Sequence, residues 1–176
     1  MNASVYIATS LDGFIARANG DLDWLPSPVG TGGEDYGYAA FMKTVDVIVM
    51  GRGTYEKVMT FGNWPYETPV VVLSSRNLAL PANAAASIET MSGPPAEIFG
   101  RLESRGLQHA YVDGGVTIQR FLEAGLIQRL IITRVPVLIG SGIPLFGPLT
   151  RDIQLRHSET RAFANGLVQS EYEVIV

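Results

Sequence analysis

Two short segments of the chain have the residue types of a phosphate-binding site. The segment GRGT, residues 51–54, follows the apolar run VIVM, and the segment GGVT, residues 114–117, follows AYVD. At both places a predicted strand changes into a predicted helix. The first turn of a helix exposes unpaired backbone N–H groups with a partial positive charge, and glycine lets a phosphate approach them closely. A single glycine after a strand usually serves only to form a turn, but two such strand–helix junctions in one domain predict a dinucleotide-binding site.

The common nucleotide-binding and catalytic motifs do not fit these segments. Glu56 stands where the Rossmann motif G-x-G-x-x-G needs its third glycine, and no Gly-Lys-Ser/Thr follows for a P-loop. Ser141 lies in IGSGI, which is not the G-x-S-x-G of a serine hydrolase. The chain has 0 Cys, and its 2 His, His109 and His157, are far apart in sequence, so we expect no metal site.

A third polar segment follows the apolar run PVVVL. Ser74, Ser75 and Arg76 supply two hydroxyls and a guanidinium, a combination that suits a monophosphate. Alone, this segment is more typical of a capped turn with a solvated arginine. Together with Arg52 it predicts a pocket for the 2′-phosphate that distinguishes NADP from NAD.

The elements that position these segments alternate between strands and helices. Residues 10–33 are rich in Gly, Asp and Pro and predict a long loop, which in a domain of this size is usually functional. Period-two alternation over 152–160 and 167–176 predicts an antiparallel hairpin. We therefore expect one α/β domain over residues 1–176, with a mixed, mainly parallel sheet flanked by helices and a C-terminal antiparallel hairpin. Strands are predicted at 3–8, 45–50, 69–73, 110–112 and 128–135, and helices at 34–43, 54–59, 94–105 and 116–124.

Composition excludes several classes of protein. The net charge of −4 and the pI of about 5.1 argue against a nucleic-acid partner, which would require a basic face. The most apolar stretch, LIITRVPVLIG, is interrupted by Arg134 and Pro136 and is too short to cross a membrane. The first residues lack the pattern of a secretory signal. We expect a cytoplasmic protein with no membrane partner.

Five segments in order carry a family resemblance: YIATSLDGFIA, VIVMGRGTYE, VVVLSSR, YVDGGVTIQRFLEAGLI and VPVLIGSGIPLFG. Over nearly its whole length the chain resembles the dihydrofolate-reductase-like superfamily. Within that superfamily it is similar to the branch that includes the reductase domain of the riboflavin-pathway deaminase-reductase. The resemblance implies the mixed sheet with a terminal hairpin and implies NADPH as cofactor.

The resemblance also implies which residues hold NADPH. Residues 51–54 would contact the pyrophosphate and the adenosine half, and residues 74–76 would face the 2′-phosphate. The second helix start would meet the pyrophosphate, and two apolar residues would flank the nicotinamide. The implied cofactor-binding residues are Ala8, Ile15, Gly51, Arg52, Gly53, Thr54, Ser74, Ser75, Arg76, Gly114, Gly115, Val116 and Thr117.

Candidate catalytic residues are carboxylates that could assist protonation. In dihydrofolate reductases a carboxylate at the first helix does so, and here Glu34 and Asp35 begin the matching predicted helix, although acidic residues also favour helix starts for electrostatic reasons. Asp12 is a third candidate, although Asp-Gly is also a common turn pair. Asp113 is a candidate substrate-binding residue that could instead cap a helix. Trp24 could stack on a planar substrate.

One segment departs from the riboflavin reductases. KVMTFGNWPYETP stands where those enzymes usually have Asp-Asp-Pro-x-Leu, which helps to hold a ribose-phosphate substrate. Our hypothesis is an NADPH-dependent reductase of a pteridine-like or pyrimidine-like heterocycle. The alternatives are a non-catalytic nucleotide-binding protein and a flavin or folate carrier. The resemblance and the exposed edge of the predicted hairpin, with Val168, Tyr172, Val174 and Ile175, also predict a homodimer.

Overall fold

The computed structural model of the chain describes residues 1–26, 33–81, 84 and 87–175. The helices are α1 (Tyr38–Met42), α2 (Arg52–Met59), α3 (Pro95–Glu103) and α4 (Gly115–Glu123). The strands are β1 (Asn2–Ser10), β2 (Phe14–Ala16), β3 (Val47–Gly51), β4 (Val70–Leu73), β5 (Ile88–Met91), β6 (His109–Asp113), β7 (Arg129–Val135), β8 (Ile143–Pro144), β9 (Leu155–Ala162) and β10 (Val168–Val174).

Eight of these strands form one sheet in the order β5-β4-β3-β6-β1-β7-β10-β9, while β2 pairs with β8. The strands from β5 across to β7 are parallel to their neighbours. The strand β10 is antiparallel to both β7 and β9. The structure thus confirms the predicted α/β fold, with its mainly parallel sheet and its C-terminal antiparallel hairpin.

The direction in which the chain moves across the sheet decides which face each helix covers. From β1 through β3 to β5 the chain moves toward one edge, and from β5 through β6 to β7 it moves back. Because crossovers between parallel strands are right-handed, the two directions place their helices on opposite faces. Phe41 of α1 and Tyr55 of α2 accordingly pack in one hydrophobic cluster, whereas Ile98 of α3 and Phe121 of α4 pack in the other.

Helix α1 is shorter than the helix predicted over 34–43. Asp35 lies before the helix, and its carboxylate accepts hydrogen bonds from the backbone N–H groups of Gly37 and Ala39, each at 2.9 Å. Gly37, the N-cap residue, has a left-handed φ of 88°, and the helix begins after it at Tyr38. Glu34 and Asp35 are therefore outside the helix that they were expected to begin.

The sequence prediction misses the short strands β2, β5 and β8. The strand β2 lies within the predicted loop over 10–33, of which residues 27–32 are outside the described residues. The strand β5 is held by pairing with β4, in the register Val70↔Ile88 to Leu73↔Met91. A four-residue strand of this kind is specified by its neighbour rather than by its own pattern.

The hairpin forms an open edge of the sheet. Every residue of β9 is exposed, and β9 pairs on one side only, with β10. An edge strand of this length presents unpaired backbone groups to solvent. Within the described part of the chain, none of the helices is both long enough and apolar enough to cross a membrane.

Candidate active site

The two glycine junctions contact each other. The strands β3 and β6 are parallel neighbours with Met50 opposite Asp113, so that Gly51 and Gly114 follow side by side. Each glycine is the N-cap of its helix, and each helix has threonine three residues later. A Cβ on Gly51 would lie 2.7 Å from Thr117 Oγ1, and a Cβ on Gly114 would lie closer still to Thr54 Oγ1. Residues 51–54 and 114–117 therefore form a reciprocal pair, here called the paired helix starts.

Glycine is required at these two positions for different reasons. Gly114 has a φ of 92°, a conformation that side chains rarely adopt, as well as the contact with Thr54. Gly51 has an ordinary extended backbone with a φ of −76°, so only the contact with Thr117 excludes a larger residue. The arrangement brings the N-terminal ends of α2 and α4 together at the carboxyl edge of the sheet, where their unpaired N–H groups favour an anion.

A cavity of about 440 Å³ opens beside the paired helix starts and is called here the apolar cavity. Ten residues predicted from the sequence to bind cofactor or substrate line it: Ala8, Ile15, Gly51, Gly53, Thr54, Asp113, Gly114, Gly115, Val116 and Thr117. Sequence reasoning missed the rest of the wall, which includes Tyr6, Leu22, Leu25, Phe61, Tyr66 and Tyr111. These residues come from separate loops and strands, and only the folded sheet brings them together.

A second cavity, of about 480 Å³, lies on the other side of the α2 start and is called here the arginine cavity. The structure brings Arg52, Ser74, Ser75 and Arg76 together there, as the sequence analysis predicted. Arg120 adds a third guanidinium to this wall, and sequence reasoning missed it because α4 was read only for its apolar face. The cavity therefore has the cationic character that an anion requires.

Hydrogen bonds fix the segment after β4 that lines the arginine cavity. Ser74 Oγ donates to the carbonyl oxygen of Arg76 at 2.9 Å and accepts from the Arg76 N–H at 3.1 Å. Arg52 Nε donates to Glu56 Oε1 at 2.6 Å, one turn along α2. Because the Glu56 carboxylate offsets part of the Arg52 charge, Arg76 and Arg120 contribute most of the positive charge of this cavity.

Asp113 is the carboxylate that the structure places in the wall of the apolar cavity. It ends β6 on the same sheet face as Tyr111, two residues earlier, and its Oδ1 accepts the N–H of Gly114 at 2.8 Å. The residue keeps partial exposure through the cavity, but its carboxyl group is surrounded by protein. That burial raises the pKa of Asp113 to about 6, while the Gly114 hydrogen bond lowers it by less.

Tyrosines surround Asp113 on this face of the sheet. The hydroxyl of Tyr111 donates to the backbone carbonyl oxygen of Tyr6 at 2.8 Å, and the hydroxyl of Tyr6 donates to the backbone carbonyl oxygen of Tyr36 at 2.7 Å. Burial, and then the charge of Asp113, raises the pKa of Tyr38 to about 12 and raises that of Tyr66 further. Because Tyr66 lines the cavity and makes no hydrogen bond within the described residues, its hydroxyl is available to a ligand.

The other predicted carboxylates lie elsewhere. Asp12 accepts hydrogen bonds from the backbone N–H groups of Gly140 at 2.8 Å and Ile139 at 3.3 Å. The pKa of Asp12 is lowered first by its hydrogen bond with the Ser10 side chain and then by these two backbone hydrogen bonds. The bonds of Asp35 to the N–H groups of α1 likewise lower its pKa. Glu34 Oε1 accepts the N–H of Tyr36 at 2.9 Å. These three carboxylates are exposed and do not line the apolar cavity. In the structure they accept hydrogen bonds from backbone N–H groups, and their catalytic role stays a prediction.

The loop after β2 covers part of the apolar cavity through Leu22 and Leu25. Lys57 Nζ of α2 donates to Asp21 Oδ1 at 3.0 Å and ties this loop to the cavity wall. Trp24 lies in the same loop but does not line the cavity, and its Nε1 is buried without a partner in the described part of the chain. The predicted stacking role of Trp24 therefore remains a prediction.

The chain is similar in sequence to proteins of riboflavin biosynthesis and to a Bacillus subtilis protein. A family model for the RibD C-terminal domain matches residues 4–169. The Bacillus subtilis (strain 168) protein YwjB is 36% identical over 174 residues, which cover 96% of this chain and 95% of YwjB. The riboflavin biosynthesis protein RibD of Corynebacterium ammoniagenes is 26% identical over 167 residues, which cover 87% of this chain but 48% of that protein.

Solved structures show the same fold. A Shewanella sp. PV-4 protein, provisionally described as a riboflavin biosynthesis protein, superposes with a TM-score of 0.92 at 39% identity, and the match covers 100% of both chains. A Thermotoga maritima diaminohydroxyphosphoribosylaminopyrimidine deaminase/5-amino-6-(5-phosphoribosylamino)uracil reductase superposes with a TM-score of 0.74 at 14% identity. That match covers 99% of this chain and 56% of the Thermotoga chain, and at this identity it shows the fold alone.

The contact between Gly51 and Thr117 predicts a specific energetic coupling. Gly51→Ala should destabilise the protein by about 1–3 kcal/mol because its methyl group would overlap Thr117 Oγ1. Thr117→Ala in the same chain should recover about 1 kcal/mol or more of that loss, measured as a double-mutant cycle by urea unfolding. Gly53→Ala is the matched control, since a Cβ at Gly53 meets no atom within 4 Å. Additive effects of Gly51→Ala and Thr117→Ala would contradict the reciprocal pair.

Proposed function

Because the chain belongs to the RibD C-terminal domain family, we propose that it is an NADPH-dependent reductase that transfers hydride to a small heterocycle of the pteridine or pyrimidine type. One observation carries this proposal: the paired helix starts lie between a cationic cavity and a cavity walled by a buried carboxylate. A nicotinamide dinucleotide needs these three environments, for its 2′-phosphate, its pyrophosphate and its reacting ring.

The residues present fit NADPH. The N–H groups at the starts of α2 and α4 would hold the pyrophosphate, and the glycines there leave room for it. Arg76 and Arg120, with the hydroxyls of Ser74 and Ser75, would hold the 2′-phosphate. Ala8 and Ile15 would flank the nicotinamide. When bound, NADPH supplies the hydride.

Asp113 is the proposed source of the proton that a reduced C=N or C=O group requires. Its Oδ1 accepts the Gly114 N–H, so the exchangeable proton would be held on the other oxygen of this cavity-lining residue. With a pKa of about 6, the carboxyl group is partly protonated near neutral pH, which suits a general acid. Leu22, Leu25 and Phe61 limit the access of water to this wall.

Cofactor selectivity tests the first part of the proposal. Arg76→Ala should weaken NADPH binding by about tenfold or more and NADH binding by less than about twofold, because only NADPH places a phosphate against the guanidinium. Affinities are measured by quenching of the fluorescence of Trp24 and Trp64. Arg101→Ala on α3 is the control, since Arg101 is exposed and lines neither cavity. Equal losses for the two nucleotides would contradict the assigned 2′-phosphate site.

The pH dependence of turnover tests the role of Asp113. The protonated form is lost as the pH rises through about 6, so kcat should fall with rising pH in that range. Asp113→Asn keeps the acceptor for the Gly114 N–H but removes the acid, and should lower kcat by about 100-fold or more while NADPH affinity changes little.

The carboxylates before α1 supply the matched comparison for Asp113. Asp35→Asn and Glu34→Gln should keep kcat within about threefold of the unmodified protein if Asp113 is the acid. Loss of turnover in Asp35→Asn with near-normal turnover in Asp113→Asn would instead assign protonation to the residue before the first helix.

The expected homodimer has a candidate surface in β9. All eight residues of this edge strand are exposed, and pairing with a second copy would satisfy its outer backbone groups. Sedimentation at micromolar concentration should therefore give twice the chain mass of 19.0 kDa. A monomeric mass would contradict the prediction.

A further inference from the structure

We infer that the heterocycle taken by the apolar cavity carries no phosphate group. This inference rests on the proposed function, because it names the substrate class of the same site. It concerns a difference from the Thermotoga maritima relative, whose name specifies a phosphoribosyl substrate. A phosphate is held in proteins by cationic side chains and by backbone N–H groups.

The cavity wall offers little positive charge. Among its described lining residues the charged ones are Asp113 and Lys57. Lys57 Nζ is 3.0 Å from Asp21 Oδ1, and this contact lowers the pKa of Asp21. The lysine is thus already paired with a carboxylate, and a phosphate would have to compete with Asp21 for it.

The other cations near this cavity, Arg17 and Arg161, are already paired with Asp23 and Glu159. Residues 18–42 and residues 58–75 contain no lysine, arginine or histidine. The first of these segments instead carries four acidic residues: Asp21, Asp23, Glu34 and Asp35. Asp21 and Asp23 are paired with Lys57 and Arg17, whereas Glu34, Asp35 and Asp113 form no salt bridge among the described residues, so a phosphate dianion would meet net negative charge here.

Backbone N–H groups do not replace the missing cations. The starts of α2 and α4 are assigned to the cofactor pyrophosphate. The N–H groups of Gly37 and Ala39, at the start of α1, are already bonded to the Asp35 carboxylate. Among the described residues, a substrate phosphate would therefore lack both kinds of partner that proteins use for it.

The groups that the wall does offer suit an uncharged planar ring. Leu22, Leu25 and Phe61 give it apolar surface, the Tyr66 hydroxyl can donate or accept one hydrogen bond, and Asp113 can accept from a ring N–H. These contacts recognise the heterocycle itself and require nothing from a phosphorylated side chain.

A matched pair of probes tests the inference: 5-amino-6-ribosylaminouracil and its 5′-phosphate. Binding is measured by calorimetry on the protein saturated with NADP⁺, so that the cofactor occupies its own phosphate sites. The unphosphorylated compound should bind about fivefold or more tighter than the phosphate, because a dianion would meet the Asp113 carboxylate and would have to compete with Asp21 for Lys57. Tighter binding of the phosphate would overturn the inference, and so would the failure of both compounds to bind.

Two variants that add a free cation make the test independent of the absolute affinities. Asp21→Asn releases Lys57, and Phe61→Lys adds a cation at a lining side chain that is 56% exposed. Each should strengthen binding of the phosphate relative to the unphosphorylated compound by about threefold or more. Combining Asp21→Asn with Lys57→Met should remove the gain. No change in the affinity ratio in either variant would contradict the charge argument.

The outcomes separate this inference from the proposed function. If NADPH binds and is oxidised with the phosphorylated compound in preference, the reductase stands and the substrate inference fails. If the phosphate binds better only when NADP⁺ is absent and Arg76→Ala removes that advantage, the arginine cavity takes the substrate phosphate, and the inference fails together with the cofactor assignment. If NADPH does not bind, the proposed function fails.

Discussion

The site depends on the contact of each glycine N-cap with the threonine of the other helix start. Gly51 faces Thr117, and Gly114 faces Thr54, with no room for a Cβ at either glycine. This contact exists only because β3 and β6 are parallel neighbours with Met50 opposite Asp113. The helices leave toward opposite faces, so their first turns remain adjacent while their bodies diverge. Two helix N-termini, each a weak anion site alone, thereby lie side by side.

The same register explains why Asp113 is buried. Alternate residues of β6 point to opposite faces, so Tyr111 and Asp113 share the face covered by α1 and α2, while Ala110 and Val112 pack against α3 and α4. A carboxylate in this position loses solvation without gaining a cation, and its pKa rises to about 6. Only the adjoining cavity makes the burial of this charge tolerable, because the group can bind a proton or a ligand there.

The sequence predicts the fold well because the βα alternation and the period-two tail are local signals. It also predicts the glycine junctions and the Ser74–Arg76 segment, whose chemistry lies in consecutive residues. It does not predict Arg120 or Tyr66, which reach the cavities only through the packing of distant elements. The sequence also does not show that the carboxylates of Glu34 and Asp35 accept hydrogen bonds from the backbone N–H groups of Tyr36, Gly37 and Ala39, and their catalytic role stays a prediction.

Opposite charges in the two cavities give the proposed cofactor a direction. Three arginines stand on one side of the paired helix starts, and Asp113 with the acidic loop stands on the other. A dinucleotide bound in reverse would place its 2′-phosphate against Asp113 and leave Arg76 and Arg120 without an anion. In the proposed reaction, the Asp113 carboxylate would thus both disfavour the reversed orientation and supply the proton for reduction. An aspartate at the end of β6 can serve both purposes only because the arginines lie beyond the helix starts rather than beside it.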